Sequence, residues 1–363
     1  MGNLTHVLPT FAFVALLTMS GAYGATSPPP SDEPNNRLWL ARFDPPANAG
    51  AVSKIEEVPG EFRTAVASWN VTTPRGSWIE TTLRARVAGR WTKWYVMGVW
   101  SASGDGTARH SVAKQDDADG AVDTDTLELA ALADAFEVRV RAHPAPDGNT
   151  PALRLVAVAT SRGGTAKNGP ASAPMQAVDL DVPQHTQRVL TSPDAKGGGG
   201  DAWCSPASVS MVMSYWAKQM HQPQWDVDVA TVADGVYDPV YDGCGNWPFN
   251  VAYASEHALG GWVRQYASLD DVALLISRGI PVIASIAVKP GELDGAPYPK
   301  TAGHLLVVRG FSASGDVIVN DPYGQLGEIR RVYRRDQFAH AWLGGSNGTV
   351  YIIAPPSRLD SLR

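Results

Sequence analysis

Residues 197–219 read GGGGDAWCSPASVSMVMSYWAKQ, and this stretch decides the fold of the C-terminal half. Ser205 is a residue type that caps helix N-termini, and Pro206 suits the first helical position, where its missing N–H costs nothing. From Ala207 to Trp216 the side chains leave little polar face. That pattern is typical of a helix buried at the centre of a domain. The stretch therefore predicts a glycine-rich approach that leads into a buried helix.

Cys204 lies at the predicted start of this helix. The N-terminal end of a helix carries partial positive charge, which stabilises a thiolate and lowers the thiol pKa. A thiolate is the attacking species in acyl transfer, and the glycines at 197–200 would let backbone pass close to a substrate. The alternative is a structural cysteine, either an inert core thiol or one half of a disulfide with Cys244. We favour a nucleophilic Cys204 and expect Cys244 to be a surface or loop thiol.

A thiol nucleophile needs an imidazole partner, and the chain contains eight histidines. His304 differs from the others because it opens a strand-like apolar run, GHLLVVRGF at 303–311. A turn at 312–315 and a second short strand at 316–320 follow, which predicts a β-hairpin. We expect His304 to be the general base. The alternative is a buried histidine without a catalytic role.

The register of this hairpin selects the residue that orients His304. If a four-residue loop pairs Phe311 with Asp316, Asp321 lies diagonally across from His304 on the same face, at roughly 7–8 Å between backbones. Asn320 then points to the other face. A five-residue loop would select Asn320 instead, because side chains alternate along a strand. We favour Asp321 as the group that holds the second ring nitrogen.

The N-terminal half, residues 37–160, is predicted to be an all-β domain with an antiparallel sandwich architecture. Apolar and polar residues alternate at 79–87 and again at 136–141. A period of two places the two sets on opposite faces of a half-buried strand. The runs at 90–100 and 151–160 supply further strands. Short strands separated by turn-forming residues favour a sandwich.

The tryptophans of this half have two alternative roles. Aromatic side chains in a small β domain mostly pack in the core, whereas an exposed set can bind sugars. We favour the core and keep a glycan contact as the alternative. The six side chains are Trp39, Trp69, Trp78, Trp91, Trp94 and Trp100.

The remaining segments suggest export and two domains. Residues 1–25 are typical of a secretory leader, whose apolar run at 11–19 is shorter than the roughly 20 residues of a membrane span. Residues 26–36 are predicted to be a disordered lead-in, and the Gly-, Ser-, Ala- and Pro-rich segment 161–176 a linker. The second domain, 177–356, mixes helix and strand. We expect a secreted, periplasmic or cell-envelope protein.

Composition narrows the function classes. The chain has 363 residues and a net charge of −6. The acidic balance argues against a nucleic-acid-binding protein, which usually presents a basic face. No cluster of histidine and cysteine has the spacing of metal ligands, so neither a metal nor another cofactor is implied.

The C-terminal domain resembles the bacteriocin-processing-peptidase-like family of papain-fold cysteine peptidases, family thirty-nine of the cysteine peptidases. Together the matching pieces span about 180 residues in the family's order. They are VPQHTQ (182–187), AWCSPASVSMVMSYW (202–216), GNWPFN (245–250), GHLLVVRGF (303–311) and VNDPYG (319–324). The resemblance implies a papain-like α+β fold and a peptide or protein substrate.

The resemblance also implies a glutamine that stabilises the oxyanion. By motif position this is Gln187, with Gln184 as the competitor. A side-chain amide and the backbone N–H of Cys204 together could hold the developing charge. The best-known members are attached to transporters and cut leaders after paired glycines, whereas this sequence shows no membrane span and no nucleotide-binding motif. We therefore expect a stand-alone cysteine peptidase with a β-rich companion domain.

Two other function classes stay open at this point. A catalytically inactive papain-like scaffold could serve as an exported glycan- or protein-binding protein. An acyl-transferring enzyme or a cell-wall amidase would use the same triad chemistry as a peptidase. Sequence alone does not separate them.

Overall fold

The structure is a computed structural model, and the predicted leader, nearly all of the lead-in and most of the linker lie outside the residues it describes. The described residues are 36–47, 51–103, 109–163, 177–189 and 195–362.

The N-terminal part consists of strands, as its alternating pattern predicts, and every strand pair is antiparallel. The strands are β1 (Asn36–Ala47), β2 (Ala51–Thr72), β3 (Trp78–Val87), β4 (Arg90–Trp91), β5 (Tyr95–Trp100), β6 (Gly120–Asp123), β7 (Thr126–His143) and β8 (Ala152–Ser161).

Hydrogen bonds join these eight strands into one sheet instead of the two separate sheets of the predicted sandwich. The order is β1-β8-β2-β7-β3-β4, with β5 also paired to β3 and β6 to β7. β2 has 22 residues and β7 has 18, and each is long enough to pair with different strands along its length. β2 pairs with β7 and β8, and β7 pairs with β2, β3 and β6. Local alternation predicts that a strand exists, but its neighbours depend on contacts distant in sequence.

The tryptophans of this part give no support to a glycan-binding platform. Three are buried, and the other three are covered by neighbouring side chains within the described residues. Trp78 stacks on His143 at 3.5 Å between ring centroids. Arg84 lies over the rings of both Trp91 and Trp94. The buried three are Trp39, Trp69 and Trp100.

The C-terminal part mixes helices with a seven-stranded antiparallel sheet of order β10-β15-β11-β12-β13-β14, with β9 paired to β12. The strands are β9 (Val178–Asp179), β10 (Gly260–Gln265), β11 (Val282–Val288), β12 (Thr301–Phe311), β13 (Val317–Asn320), β14 (Arg330–Tyr333) and β15 (Thr349–Ala354). The helices are α1 (Cys204–Met220), α2 (Val229–Val236), α3 (Trp247–Glu256), α4 (Leu269–Ser277), α5 (Arg335–Ser346) and α6 (Pro356–Leu359).

Helix α1 is buried almost all round, as its apolar sequence predicts. It begins at Cys204, earlier than the cap expected at Ser205. The Ser205 hydroxyl does not cap the helix, because it lies 3.2 Å from the Tyr351 hydroxyl. Pro206 is therefore the third helical residue, where an N–H still has no partner within the helix and a proline is tolerated.

The two parts are joined by buried polar contacts between β2 and β10. The Asn70 side chain donates to the carbonyl of Gly261 at 2.7 Å and accepts from its N–H at 3.0 Å. The Ser68 hydroxyl accepts from the N–H of Val263 at 3.1 Å. All of the side chains in these contacts are buried. Because buried polar groups need their partners, these bonds hold the N-terminal sheet in place against the C-terminal part.

Apolar and charged contacts extend the same junction. Trp69 and Trp100 pack against Phe249 of α3, with ring centroids 6.3 and 5.4 Å apart. The Glu256 carboxylate at the end of α3 accepts from the Thr73 hydroxyl at 2.7 Å. Buried residues of both parts form one continuous hydrophobic cluster. A cleft between the two parts therefore has walls that are fixed to each other.

Candidate active site

Cys204 lines a cleft of about 1280 Å³ that receives residues from both parts of the chain. It is the first residue of α1, and its side chain is half-buried. The helix end brings partial positive charge to the sulfur. The thiol is thus both accessible from the cleft and set in an environment that favours its ionised form.

His304, on β12, is the ionisable side chain that acts most strongly on this thiol. Burial raises the pKa of Cys204, but a hydrogen bond with the His304 side chain and the charge of its ring outweigh burial. The N–H groups of Leu305 and Ser205 add to the effect. The pKa of Cys204 therefore lies below the ordinary thiol value.

The imidazole of His304 lies between the thiol and a carboxylate. Its Nε2 is 2.8 Å from Oδ1 of Asp321, which leaves Nδ1 as the ring nitrogen available to Cys204. Burial lowers the pKa of His304, but Asp321 and Cys204 together raise it to about 10. With the thiol pKa lowered and the imidazole pKa raised, the two groups favour a thiolate–imidazolium pair near neutral pH.

Asp321 is fully buried and accepts hydrogen bonds on both oxygens. In addition to His304 on Oδ1, the hydroxyls of Tyr298 and Tyr333 donate to Oδ2 at 3.0 and 2.8 Å. The N–H of Tyr323 donates to Oδ1 at 3.1 Å. Burial raises the pKa of Asp321, but the charge of His304 and these bonds lower it below the usual value. Asp321 is therefore held as a charged, immobile group.

The β12–β13 hairpin places Asp321 beside His304 with a strand register that differs from the predicted one near the loop. Phe311 pairs with Val317 across a five-residue loop, so the predicted pairing of Phe311 with Asp316 is wrong. A bulge between Val308 and Gly310 adds one residue to β12 and restores the alternation, so that Val307 pairs with Asn320. Loop length alone would have selected Asn320. The bulge compensates for the extra loop residue.

Asn320 points away from His304 and is occupied elsewhere. Its amide nitrogen donates to the carbonyls of Val182 and Pro183 at 3.2 and 3.0 Å. Its carbonyl oxygen accepts from the Arg309 guanidinium at 3.1 Å. Arg309 is the residue inside the bulge, so this hydrogen bond between Arg309 and Asn320 also stabilises the bulge.

Gln187 lies next to the glycine-rich approach to Cys204. It is 1% exposed, and its amide nitrogen donates to the carbonyl of Gly200 at 2.8 Å. Its backbone N–H donates to the carbonyl of Pro322, which directly follows Asp321. An amide nitrogen carries two hydrogens, so one remains after the bond to Gly200. Gln184, the competitor, is exposed.

Two family models match consecutive parts of the chain. Residues 46–161 match the model described as the peptidase C39 N-terminal domain, and residues 179–350 match the peptidase C39-like family. The chain belongs to the C39-like peptidase family. No curated protein matches it significantly.

Two solved structures have a low similarity to this C39-like family member. One is a crystal structure of a candidate C39-like peptidase from Bacillus anthracis, with 16% identity and a TM-score of 0.34, covering 49% of this chain and 97% of the other. The second is from the Gt strain of infectious bursal disease virus, with 8% identity and a TM-score of 0.18, covering 35% and 31%.

The second cysteine of this C39-like protein differs from the expected surface or loop thiol. Cys244 lies in a loop but is 1% exposed, and burial raises its pKa to about 12. Both cysteines are free, so they form no disulfide. Gly197 adopts φ +60° directly over it, and a Cβ there would lie 3.1 Å from the Cys244 sulfur. The glycine run thus lets backbone pass close to Cys244.

Tyr298 and Tyr333 are the members of the site that sequence reasoning missed. They lie 23 and 12 residues from Asp321 and carry no motif. Tyr333 reaches the carboxylate because β14 pairs with β13. The available signal was weak: tyrosine is a strand-favouring residue, and the hydroxyl of a buried tyrosine needs a partner.

The part of the chain that the structure describes contains neither a candidate metal-binding cluster nor a candidate membrane-spanning helix. There, no group of three or more His, Cys, Asp or Glu side chains is arranged to hold a metal ion. In the same ranges, no helix combines the length and the apolar character needed to cross a membrane.

Proposed function

We propose that this chain is an exported cysteine peptidase with a papain-like catalytic domain. The observation that carries the proposal is the position of His304, hydrogen-bonded through Nε2 to Asp321 while its ring lowers the pKa of Cys204. Membership of the C39-like peptidase family supports the same activity. Export rests on the leader-like residues 1–25.

In the proposed reaction the Cys204 thiolate attacks the carbonyl carbon of the scissile peptide bond. The carbonyl electrons move to oxygen, and the backbone N–H of Cys204 with the free amide hydrogen of Gln187 would hold that charge. When the intermediate collapses, the imidazolium of His304 gives its proton to the leaving amine and a thioester remains.

Hydrolysis of the thioester reverses these roles. His304, now neutral, takes a proton from water as the water attacks the thioester carbonyl. Collapse of the second intermediate expels the Cys204 thiolate and releases the carboxylic acid, and the imidazolium is regenerated. Asp321 keeps the ring oriented and compensates its charge throughout, so it does not itself transfer a proton.

The test is hydrolysis of a fluorogenic peptide library by the mature chain and by Cys204→Ala. Cleavage by the wild type is expected to fall by about 10³-fold or more in the variant. Cys244→Ala is the matched control and should keep activity within about threefold: Cys244 borders the same cleft, but its raised pKa of about 12 keeps the thiol uncharged and unreactive. Equal losses in the two variants would sink the assignment of the nucleophile.

Alkylation gives an independent measure of the thiol. A brief exposure to iodoacetamide at pH 7 should label Cys204 much faster than Cys244, because the pKa of Cys204 is lowered and that of Cys244 is raised to about 12. Peptide mass mapping reads both sites. A Cys204 rate equal to that of an unactivated thiol would contradict the proposed thiolate–imidazolium pair.

Added hydroxylamine or amino-acid amides would reveal transfer products if the enzyme is an acyltransferase.

A further inference from the structure

The N-terminal sheet supplies part of the wall of the cleft that contains Cys204. The contribution comes from the hairpin of β6 and β7, whose tip runs from Asp123 to Thr126, and from Thr64 and Glu128 beside it. Asp125 at the tip accepts from the N–H of Trp247 at 2.6 Å, which is the first residue of α3. The hairpin is therefore bonded to the catalytic part and presents a fixed surface.

The hairpin tip and Cys204 act on a common neighbour, Tyr241. Tyr241, which also lines the cleft, experiences charges from both sides. Burial raises the pKa of the Tyr241 phenol, and the charges of Cys204 and Asp125 raise it further. Asp123 acts on the same phenol. The hairpin tip and the reacting sulfur therefore border one region of the cleft.

The charged groups that line this cleft are mostly acidic. Apart from His304, the described lining residues include one basic side chain, Lys300, against five carboxylates. Four of the five are exposed, and the fifth, Asp125, is buried. We call the four exposed carboxylates the acidic wall: Asp123, Glu128, Asp201 and Asp242.

One side chain of the cleft, Gln265, has a buried acceptor that lacks a hydrogen-bond donor in the described part of the chain. Gln265 lines the same cleft and is only 7% exposed. Its Oε1 is buried and has no hydrogen-bond partner among the described residues. A buried carbonyl oxygen without a donor costs free energy, which a donor from a ligand would recover. Ionised carboxylates likewise only accept hydrogen bonds. The acidic wall and the Gln265 carbonyl would therefore both be satisfied by a ligand that donates hydrogen bonds.

We propose, resting on the proposed peptidase function, that the acidic wall is a specificity subsite that binds a cationic nitrogen group of the substrate. The ligand is a lysine or arginine side chain, or a free amino terminus, close to the scissile bond. Such a group brings several N–H donors and a positive charge. The N-terminal sheet is then part of the substrate-binding surface of the enzyme.

The first test compares matched fluorogenic peptides that differ at one position beside the scissile bond, with Lys, Gln or Glu there. Each is prepared with a free and with an acetylated amino terminus, which separates the two sources of the cation. We expect kcat/KM for the Lys or free-amine peptide to exceed that of its neutral match by about tenfold, because a cleft of one charge sign concentrates the opposite charge. The preference should shrink as salt screens it.

The variant that tests the wall is Asp123→Asn/Glu128→Gln, which removes two exposed carboxylates without touching the catalytic groups. The matched control is Asp116→Asn, which changes an exposed aspartate of the N-terminal part that does not line the cleft. The double variant should reduce the preference about three- to tenfold, in line with the modest energy of exposed charge pairs. The control should keep it. A wild type that cleaves all the peptides equally would overturn the proposal.

A second readout does not need hydrolysis. Cationic and anionic methanethiosulfonate reagents of similar size form a mixed disulfide with the Cys204 thiolate and expel methanesulfinate. Mapped modification rates should favour the cationic reagent, and the double variant should reduce that ratio. If no peptide is cleaved but this ratio holds, the peptidase assignment fails and the cationic subsite stands. If peptides are cleaved and the ratio is one, the subsite fails and the peptidase assignment stands.

Discussion

Asp321, at the end of β13, and Asp125, at the tip of the β6–β7 hairpin, are both buried aspartates, with 0% and 5% exposure. Their pKa values move in opposite directions. Burial raises both, but Asp321 faces His304 and its pKa falls below the usual value. Among the described residues, Asp125 has only neutral donors, the N–H of Trp247 and the Thr126 hydroxyl, and its pKa rises to about 7.

The difference shows that the partners of a buried carboxylate, and not its burial, decide whether it stays charged. A cation and several donors compensate Asp321, so it can orient and stabilise an imidazolium. Asp125 accepts from the N–H of Trp247, the first residue of α3, across the junction between the two parts. The first aspartate suits the chemistry of the site, and the second suits its assembly.

Substitution of Asp321 should give the largest effect. We expect Asp321→Ala to lower kcat/KM by about 10²- to 10⁴-fold, because the imidazole loses both its orientation and the charge that stabilises its protonated form. Asn320→Ala, which removes the neighbouring side chain, should leave kcat within about tenfold, since Asn320 bonds to backbone carbonyls away from His304. Steady-state kinetics on one peptide measures both. Similar losses in the two variants would contradict the role of Asp321.

The pH profile separates the two aspartates next. kcat/KM should rise as Cys204 ionises below its usual pKa, and fall as the raised pKa of His304, about 10, is passed. Asp321→Asn removes the charge that favours imidazolium, so the alkaline limb should move to lower pH by about one unit or more. Asp125→Asn should leave both limbs in place. An unmoved alkaline limb in Asp321→Asn would break the contrast.

Stability should depend on Asp125. Asp125→Ala removes the acceptor of the Trp247 N–H and should lower the free energy of unfolding by about 1–2 kcal/mol, whereas Asp125→Asn keeps an acceptor and should lose less. The folded pKa of Asp125, about 7, exceeds its ordinary 3.8, so the folded state binds the proton more tightly. This contribution to stability is full below about pH 4 and is lost as the pH rises through about 7. Urea unfolding at pH 5 and 8 tests this, and Asp125→Asn should lose that part of the slope.

The smallest effect is expected from Tyr333→Phe. It removes one of the two hydroxyls that donate to Oδ2 of Asp321, while Tyr298 still donates. We expect kcat to fall about three- to tenfold, or roughly 1 kcal/mol, and the pKa of Asp321 to move upward, toward the behaviour of Asp125. An NMR titration of His304 with kinetics would detect both. An unchanged kcat would show that Tyr298 alone suffices.

Much of the candidate site was predictable from local sequence. Cys204 stands at a helix start, His304 directly before an apolar run and Asp321 before a turn, and each pattern involves only a few neighbouring residues. The choice of Asp321 over Asn320 agreed with the structure, although the loop length behind it was wrong. The bulge at Arg309 restored the alternation, and no local pattern announces a bulge that is stabilised by partners distant in the chain.

The partners of these groups were not predictable. The hydroxyls of Tyr298 and Tyr333 reach Asp321 only after several strands have paired. Cys244 lies in a turn-rich loop, which suggested exposure, but α2 and the glycine run cover it: its sulfur donates to the carbonyl of Ala233 at 3.6 Å. The predicted cap at Ser205 failed for the same reason, because Tyr351 takes its hydroxyl.

The sequence by itself determined the strand-rich N-terminal half, the buried helix that begins near Cys204, and the residue types of the proposed triad. These features depend on periodicity and on the conformational preferences of neighbouring residues. Only the tertiary structure decided that the eight N-terminal strands form one sheet, that this sheet is bonded to the C-terminal part, and that its hairpin borders the cleft. Those outcomes depend on contacts between residues far apart in the chain, and the pKa values of Asp125 and Asp321 depend on the same contacts.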